Sequence, residues 1–160
     1  MFVLGVDPGL TTAGYGVVRA GHPPLPVAVG VIRTDAAAPI AQRLLELHHD
    51  LADIITEHKP AAVAIESMFT NLNLATASGV GRAAGVAILA AAEAGIPVFE
   101  YSPTAVKSAV TGDGRARKQQ VQLMVARRLN LASPPSPPDA ADALAVALCH
   151  LQTMRLGAVS

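Results

Sequence analysis

Hydrophobic and polar positions follow two different periods along the chain, and the changes of period mark its elements. Phe2 to Asp7 (FVLGVD) is a run of apolar residues and Gly that ends in one carboxylate and breaks at Pro8-Gly9. Such a run suits a strand buried on both faces, and so a central one. Residues 13–19 and 26–34 read as two more strands with a turn at 21–24. Their short connections predict an antiparallel meander. From residue 39 to 57 the period becomes helical: Ile40, Leu44, Leu47, Leu51, Ile54 and Ile55 share one face, while Gln42, Arg43, Glu46, His49, Asp50 and Asp53 share the other. Lys59-Pro60 ends that helix. Residues 61–66 (AAVAIE) form a second buried strand, again closed by a carboxylate.

Residues 72–94 read as a long helix rich in small side chains, among them Ala77, Gly79, Gly81, Ala84, Gly85 and Ala91. Each Gly inside a helix costs about 1 kcal/mol against Ala, so a close neighbour is expected, within the domain or across a subunit boundary. Gly95-Ile96-Pro97 caps the helix, and residues 98–101 make a fifth strand. Residues 104–110 and 118–129 are helical in pattern, separated by a loop at 112–115. The proline-rich break at 133–138 leads into a last helix over 139–156. The order βββαβαβαα predicts an α/β fold, a mixed five-stranded sheet with helices on both faces, as a single domain over 1–160.

Composition narrows the function classes. The 160 residues are 51% hydrophobic and 15% charged with zero formal net charge, so a nucleic-acid site requires a local patch. The single cysteine, Cys149, excludes an intramolecular disulfide and fits a reducing compartment. There is no basic n-region before the first apolar stretch, and the longest apolar tract, 83–92, is short for a membrane span. A cytoplasmic protein without a membrane partner is expected.

The candidate chemistry lies in the carboxylates. If the strands ending in Asp7 and Glu66 are parallel neighbours, both acids sit on one edge of the sheet. Asp139 and Asp142 lie at i and i+3, on one face of the last helix. Asp139 also suits a capping role at N3, with Ser136 as N-cap and Pro137 at N1. Asp142 does not, because Ala140, Ala141, Ala143, Leu144 and Ala145 surround it, so it needs a partner. Four converging acids repel unless a cation joins them, and an all-oxygen set suits Mg²⁺ or Mn²⁺. Two such ions, roughly 3.5–4 Å apart, serve phosphodiester cleavage.

The linked stretches VLGVDPGLTTAGYGVV, AIESMFTNLN, VTGDGRARKQQVQLMV and PPDAADALAVALCH together resemble the RuvC family of Holliday junction resolvases. The resemblance runs in order over nearly the whole chain and implies an RNase H-like fold. It implies that Asp7, Glu66, Asp139 and Asp142 are the catalytic, metal-binding acids, with two ions per site. It further implies a homodimer that nicks a four-way DNA junction symmetrically, beside the RuvA and RuvB branch-migration proteins. Phe69 matches a family aromatic at the junction bases, and Lys107 and Lys118 match positions on the DNA backbone. With Arg115 and Arg117, and against Asp113, these lysines make a local net charge of +3. The family commonly has Ala-Arg-Gly in the long helix. Here Arg82 stands two positions early, turned by about 200°, and is left outside the site.

Two other readings share these residues. One is an RNase H-like nuclease on another branched nucleic acid. The other is a phosphate-binding ATPase-like module, suggested by Asp7-Pro8-Gly9 leading to Gly14, although 160 residues hardly supply two lobes.

Overall fold

The computed structural model describes residues 1–67 and 73–158. The described elements are β1 (Phe2–Asp7), β2 (Thr12–Arg19), β3 (Leu25–Arg33), α1 (Ile40–His58), β4 (Ala62–Glu66), α2 (Leu74–Glu93), β5 (Val98–Tyr101), α3 (Pro103–Thr111), α4 (Lys118–Arg128) and α5 (Pro138–Gly157). Every segment predicted from periodicity forms. Three helices follow β5 rather than the two of the compressed order, because the helical stretches either side of the 112–115 loop remain separate.

The sheet order is β3-β2-β1-β4-β5, with β1 antiparallel to β2 and parallel to β4. The continuous apolar run of β1 therefore occupies the centre, and Val3, Leu4 and Val6 have no more than 1% exposure. Helices cover both faces. On one, α1 brings Leu47, Leu51 and Ile55, and α2 brings Ala83, Ala87, Ala90 and Ala91, against Leu4, Val6 and Val63. On the other, α5 packs Leu144 and Leu148 against Val3 and Val18, and α3 and α4 close over it.

Of the residues from Ala140 to Leu151, all are buried except Asp142. A helix apolar all round belongs inside a domain, and here one side meets the sheet and the other meets α3 and α4. Its approach to the sheet depends on three glycines. A Cβ at Gly5 would collide with the Ala143 carbonyl oxygen and stand 2.8 Å from the Ala147 nitrogen. A Cβ at Gly14 would strike the Asp139 carbonyl, and one at Gly16 would come within 2.6 Å of Leu144 Cδ2. Glycines inside strands thus form a lane into which the α5 backbone settles. Next along this helix, Cys149 and His150 are both buried, and His150 Nδ1 is hydrogen-bonded to the Tyr101 hydroxyl at 2.7 Å. Packing is the work of both.

Two expectations change. Ser136 is not the N-cap of α5: Pro137 is, Pro138 takes N1, and Asp139 stands at N2 with no side chain capping the end. The second proline has no N–H to satisfy and so fits the first helical position, which moves the start one residue along. The Ala140 N–H bonds to the Pro137 carbonyl at 3.0 Å. The long helix also extends past the 83–92 tract: α2 is long and apolar enough to cross a membrane by length and composition alone. Its four buried alanines pack on the core, and the His48–Glu93 contact of 2.7 Å ties it to α1.

Gly5→Ala is expected to destabilise the protein by about 1–3 kcal/mol, the usual cost of overpacking a closed contact. Urea denaturation measures this, and a change within about 0.5 kcal/mol would show that α5 can lift without loss.

Candidate active site

The parallel register of β1 and β4 pairs Val6 with Ile65, so Asp7 and Glu66 end neighbouring strands at the same edge. On the other side Asp7 pairs with Gly14 of β2. Because Gly14 admits the Asp139 backbone, the first turn of α5 lies directly over Asp7. Carboxylate oxygens of Asp7, Asp139 and Asp142 consequently lie within 4.8 Å of one another. Glu66 stands beside this trio and lines a cleft with Asp142, Lys107 and Lys118.

Burial and repulsion set the protonation of these acids. Burial, then the charges of Asp142, Glu66 and Asp139, push the Asp7 carboxyl up to about 8. Glu66 is raised by burial and by Asp142, with Lys118 and Lys107 opposing. Asp142 is also raised by burial, against the pull of Lys118, whose Nζ lies 2.9 Å from Asp142 Oδ2. The partner demanded by an acid among small apolar neighbours is thus Lys118. The same contact, with the charges of Asp142, Asp7 and Asp139, raises the Lys118 ammonium.

This donor set fits a hard divalent cation. It is all carboxylate oxygen and half-buried, and burial together with the crowded charge favours a protonated Asp7, a cost that a bound cation would offset. Lys118 offsets part of that charge from one side. The arrangement can therefore gather a cation and an anionic substrate at one strand edge.

The other predicted site residues are distributed unevenly. Lys107 and Lys118 both face the cleft beside the acids. Arg115 and Arg117 are exposed on the adjoining loop, where the Arg115 N–H donates to Asp113 Oδ1 and the Arg117 N–H to Gln120 Oε1, each at 2.8 Å. Phe69 lies outside the described residues. Arg82 is exposed on α2. Sequence reasoning missed Gly14, although a glycine within a strand signals a close backbone approach.

Without divalent cations, the raised Asp7 group makes folding stability fall with pH. Its native form holds a proton that the unfolded chain has already lost above about pH 4. The stabilisation is complete below the ordinary carboxylate range and gone once pH passes about 8. Thermal melts from pH 4 to 9 should reveal this decline, and Asp7→Asn should flatten it. An equal decline in the variant would assign the effect to other groups.

The sequence profile of "Crossover junction endodeoxyribonuclease RuvC" matches residues 3–150. A protein of that name from Salinispora arenicola is 50% identical over 153 residues, covering 94% of this chain and 87% of that protein. A solved structure of Thermus thermophilus RuvC in complex with a Holliday junction substrate superposes with a TM-score of 0.93 at 39% identity. It covers 98% of this chain and 96% of the other. The yeast mitochondrial Holliday junction resolvase Ydc2 is 14% identical with a TM-score of 0.63, covers 94% of this chain and 78% of the other, and so shares the fold. With an RNase H-like sheet, a carboxylate cluster at its central edge and this likeness along almost its entire length, the chain belongs to the RuvC family of crossover junction endodeoxyribonucleases.

Proposed function

We propose that this chain, acting as one domain over residues 1–160, is a metal-dependent endonuclease that resolves four-way DNA junctions by paired symmetric nicks in recombination and repair. The observation that carries the reading is the trio Asp7, Asp139 and Asp142, drawn within 4.8 Å at the end of the central strand. Support for the substrate comes from the Thermus thermophilus RuvC bound to a Holliday junction, which this chain matches over 98% of its length.

Asp7, Glu66, Asp139 and Asp142 are the catalytic acids and the residues that would hold Mg²⁺ or Mn²⁺, two ions per site. Bound there, the ions would supply Lewis acidity for attack of water on a phosphodiester. The chain's own groups do the rest. Buried Asp7 gives up its proton when the cluster fills, which makes metal affinity rise with pH. Lys118 neutralises Asp142 in the metal-free protein and is then free to meet a DNA phosphate. Lys107, Arg115 and Arg117 extend that positive rim along the backbone, and Phe69 stacks on a junction base.

A homodimer suits a nearly twofold substrate. The exposed apolar residues Ile88 and Leu89 on α2 support a self-contact along that helix. The cytoplasmic setting and collaboration with RuvA and RuvB follow from the same family reading.

The decisive experiment is cleavage of a labelled four-way junction beside a linear duplex, in Mg²⁺ and in Mn²⁺. Paired nicks in the junction alone are expected. Asn or Gln at any of the four acids should slow cleavage by about 10²–10³-fold while binding persists, the scale of losing one preorganised charge-stabilising group. Full activity in Asp7→Asn would remove the metal-site reading. For the dimer, sedimentation equilibrium should return twice the 16.4 kDa chain mass. Leu89→Glu should shift it toward monomer, and a monomeric parent would refute the α2 contact.

A further inference from the structure

The sheet edge that carries Asp7 continues, on the α1–α2 side, into a second groove lined by Gly9, Thr11, Thr12, Arg43, Thr76 and Gly79. Its floor is fixed by the β1–β2 turn. A Cβ at Gly9 would collide with the Thr12 carbonyl, and a Cβ at Gly79 on α2 would come into ordinary van der Waals contact with Leu10.

Arg43 is held in this groove by neutral acceptors. Its Nε donates to Thr34 Oγ1 at 2.9 Å, and one terminal nitrogen donates to Thr11 Oγ1 at 3.0 Å. Thr34 is 6% exposed, and its hydroxyl donates in turn to the Leu10 carbonyl at 2.6 Å. The plane of the guanidinium is therefore set by two hydroxyls that carry no charge. Among the described residues no carboxylate stands within ion-pair distance of Arg43. Glu46, three positions on, is engaged by Gln42 instead. Three of the five guanidinium donors remain for an outside acceptor. A cation oriented in this way, and left without a counter-charge, matches the fork geometry of a phosphate.

Position decides which phosphate. In the order β3-β2-β1-β4-β5, Lys107 and Lys118 belong to the β4–β5 side of Asp7. Thr11 just before β2, Thr12 at its start, and Thr34 after β3 put Arg43 on the opposite side of the same edge. A strand laid across Asp7 meets positive charge before and after the acids.

We propose that Arg43, with the hydroxyls of Thr11 and Thr76 beside it, binds a backbone phosphate of the cleaved strand on the far side of the acidic cluster from Lys107 and Lys118. This subsite rests on the nuclease reading above, and it fixes the register of the strand over Asp7. The competing role is a plain tie between α1 and the sheet edge.

Salt dependence separates the two. Junction affinity is measured by fluorescence anisotropy with the full chain in the cleavage-deficient Asp7→Asn background, from about 50 to 200 mM salt. Arg43→Gln should weaken binding about tenfold and reduce the slope of log K against log salt by about one, while Arg43→Lys keeps the slope. Thr76→Glu, at an exposed position on α2, places a negative charge in the groove and should weaken binding by about tenfold or more without touching the core. An Arg43→Gln slope equal to the parent's, or a Thr76→Glu affinity equal to the parent's, overturns the subsite. If the Asp7→Asn parent binds no junction, the nuclease reading falls and the subsite falls with it.

Discussion

The closeness of α5 to the central strands is the constraint on which the rest of the site depends. Ordinary helix-on-sheet packing leaves side chains between the two backbones. Here Gly5, Gly14 and Gly16 remove them, so that backbone atoms of Ala143 and Asp139 rest where a Cβ would be. The helix gains a fixed depth and a fixed register, because neither sliding nor lifting leaves the lane filled. That depth brings two carboxylates of a helix to a carboxylate at a strand end. An ordinary spacing would leave them too far apart to share a cation.

The electrostatics follow from this packing. Burying like charges together is unfavourable, and the cluster carries the strain as a raised Asp7 and a Lys118–Asp142 ion pair. The neighbouring alanines of α5 offer no polar side chain to dissipate it, so that task falls to Lys118 of α4. Such a site is stable when protonated or cation-filled, and costly in between. The local structure thus favours the form that is chemically useful, because relief comes from outside the chain.

Much of this was legible in the residues. The apolar run FVLGVD and the matching AAVAIE gave two buried strands ending in acids, and the apolar shell around Asp142 demanded a partner. The identity of that partner was not legible, since periodicity says nothing about which residue opening α4 faces α5. The helix start was misplaced by one residue because two successive prolines both fit an N-terminus, and only the three-dimensional path chooses between them. The glycine lane was hidden for another reason. In sequence, Gly14 looks like the end of a phosphate-loop signature, and its true neighbour, Asp139, lies more than a hundred residues away. Arg43 was read as one of several polar residues on an outer helical face. Its special position depends on Thr11 and Thr34, supplied by two separate loops.

The acids come from the first strand, the fourth strand and the last helix described, so residues 7 to 142 must all be made before the cluster can form. A chain emerging from the ribosome can form its meander and its first helices long before Asp139 and Asp142 exist. Until the final helix drops into its lane, Asp7 and Glu66 have neither the other carboxylates nor the ammonium of Lys118 in place. A chain that stops short of Asp139 therefore holds only half of the cluster. The cluster itself is completed in one step, by the docking of α5.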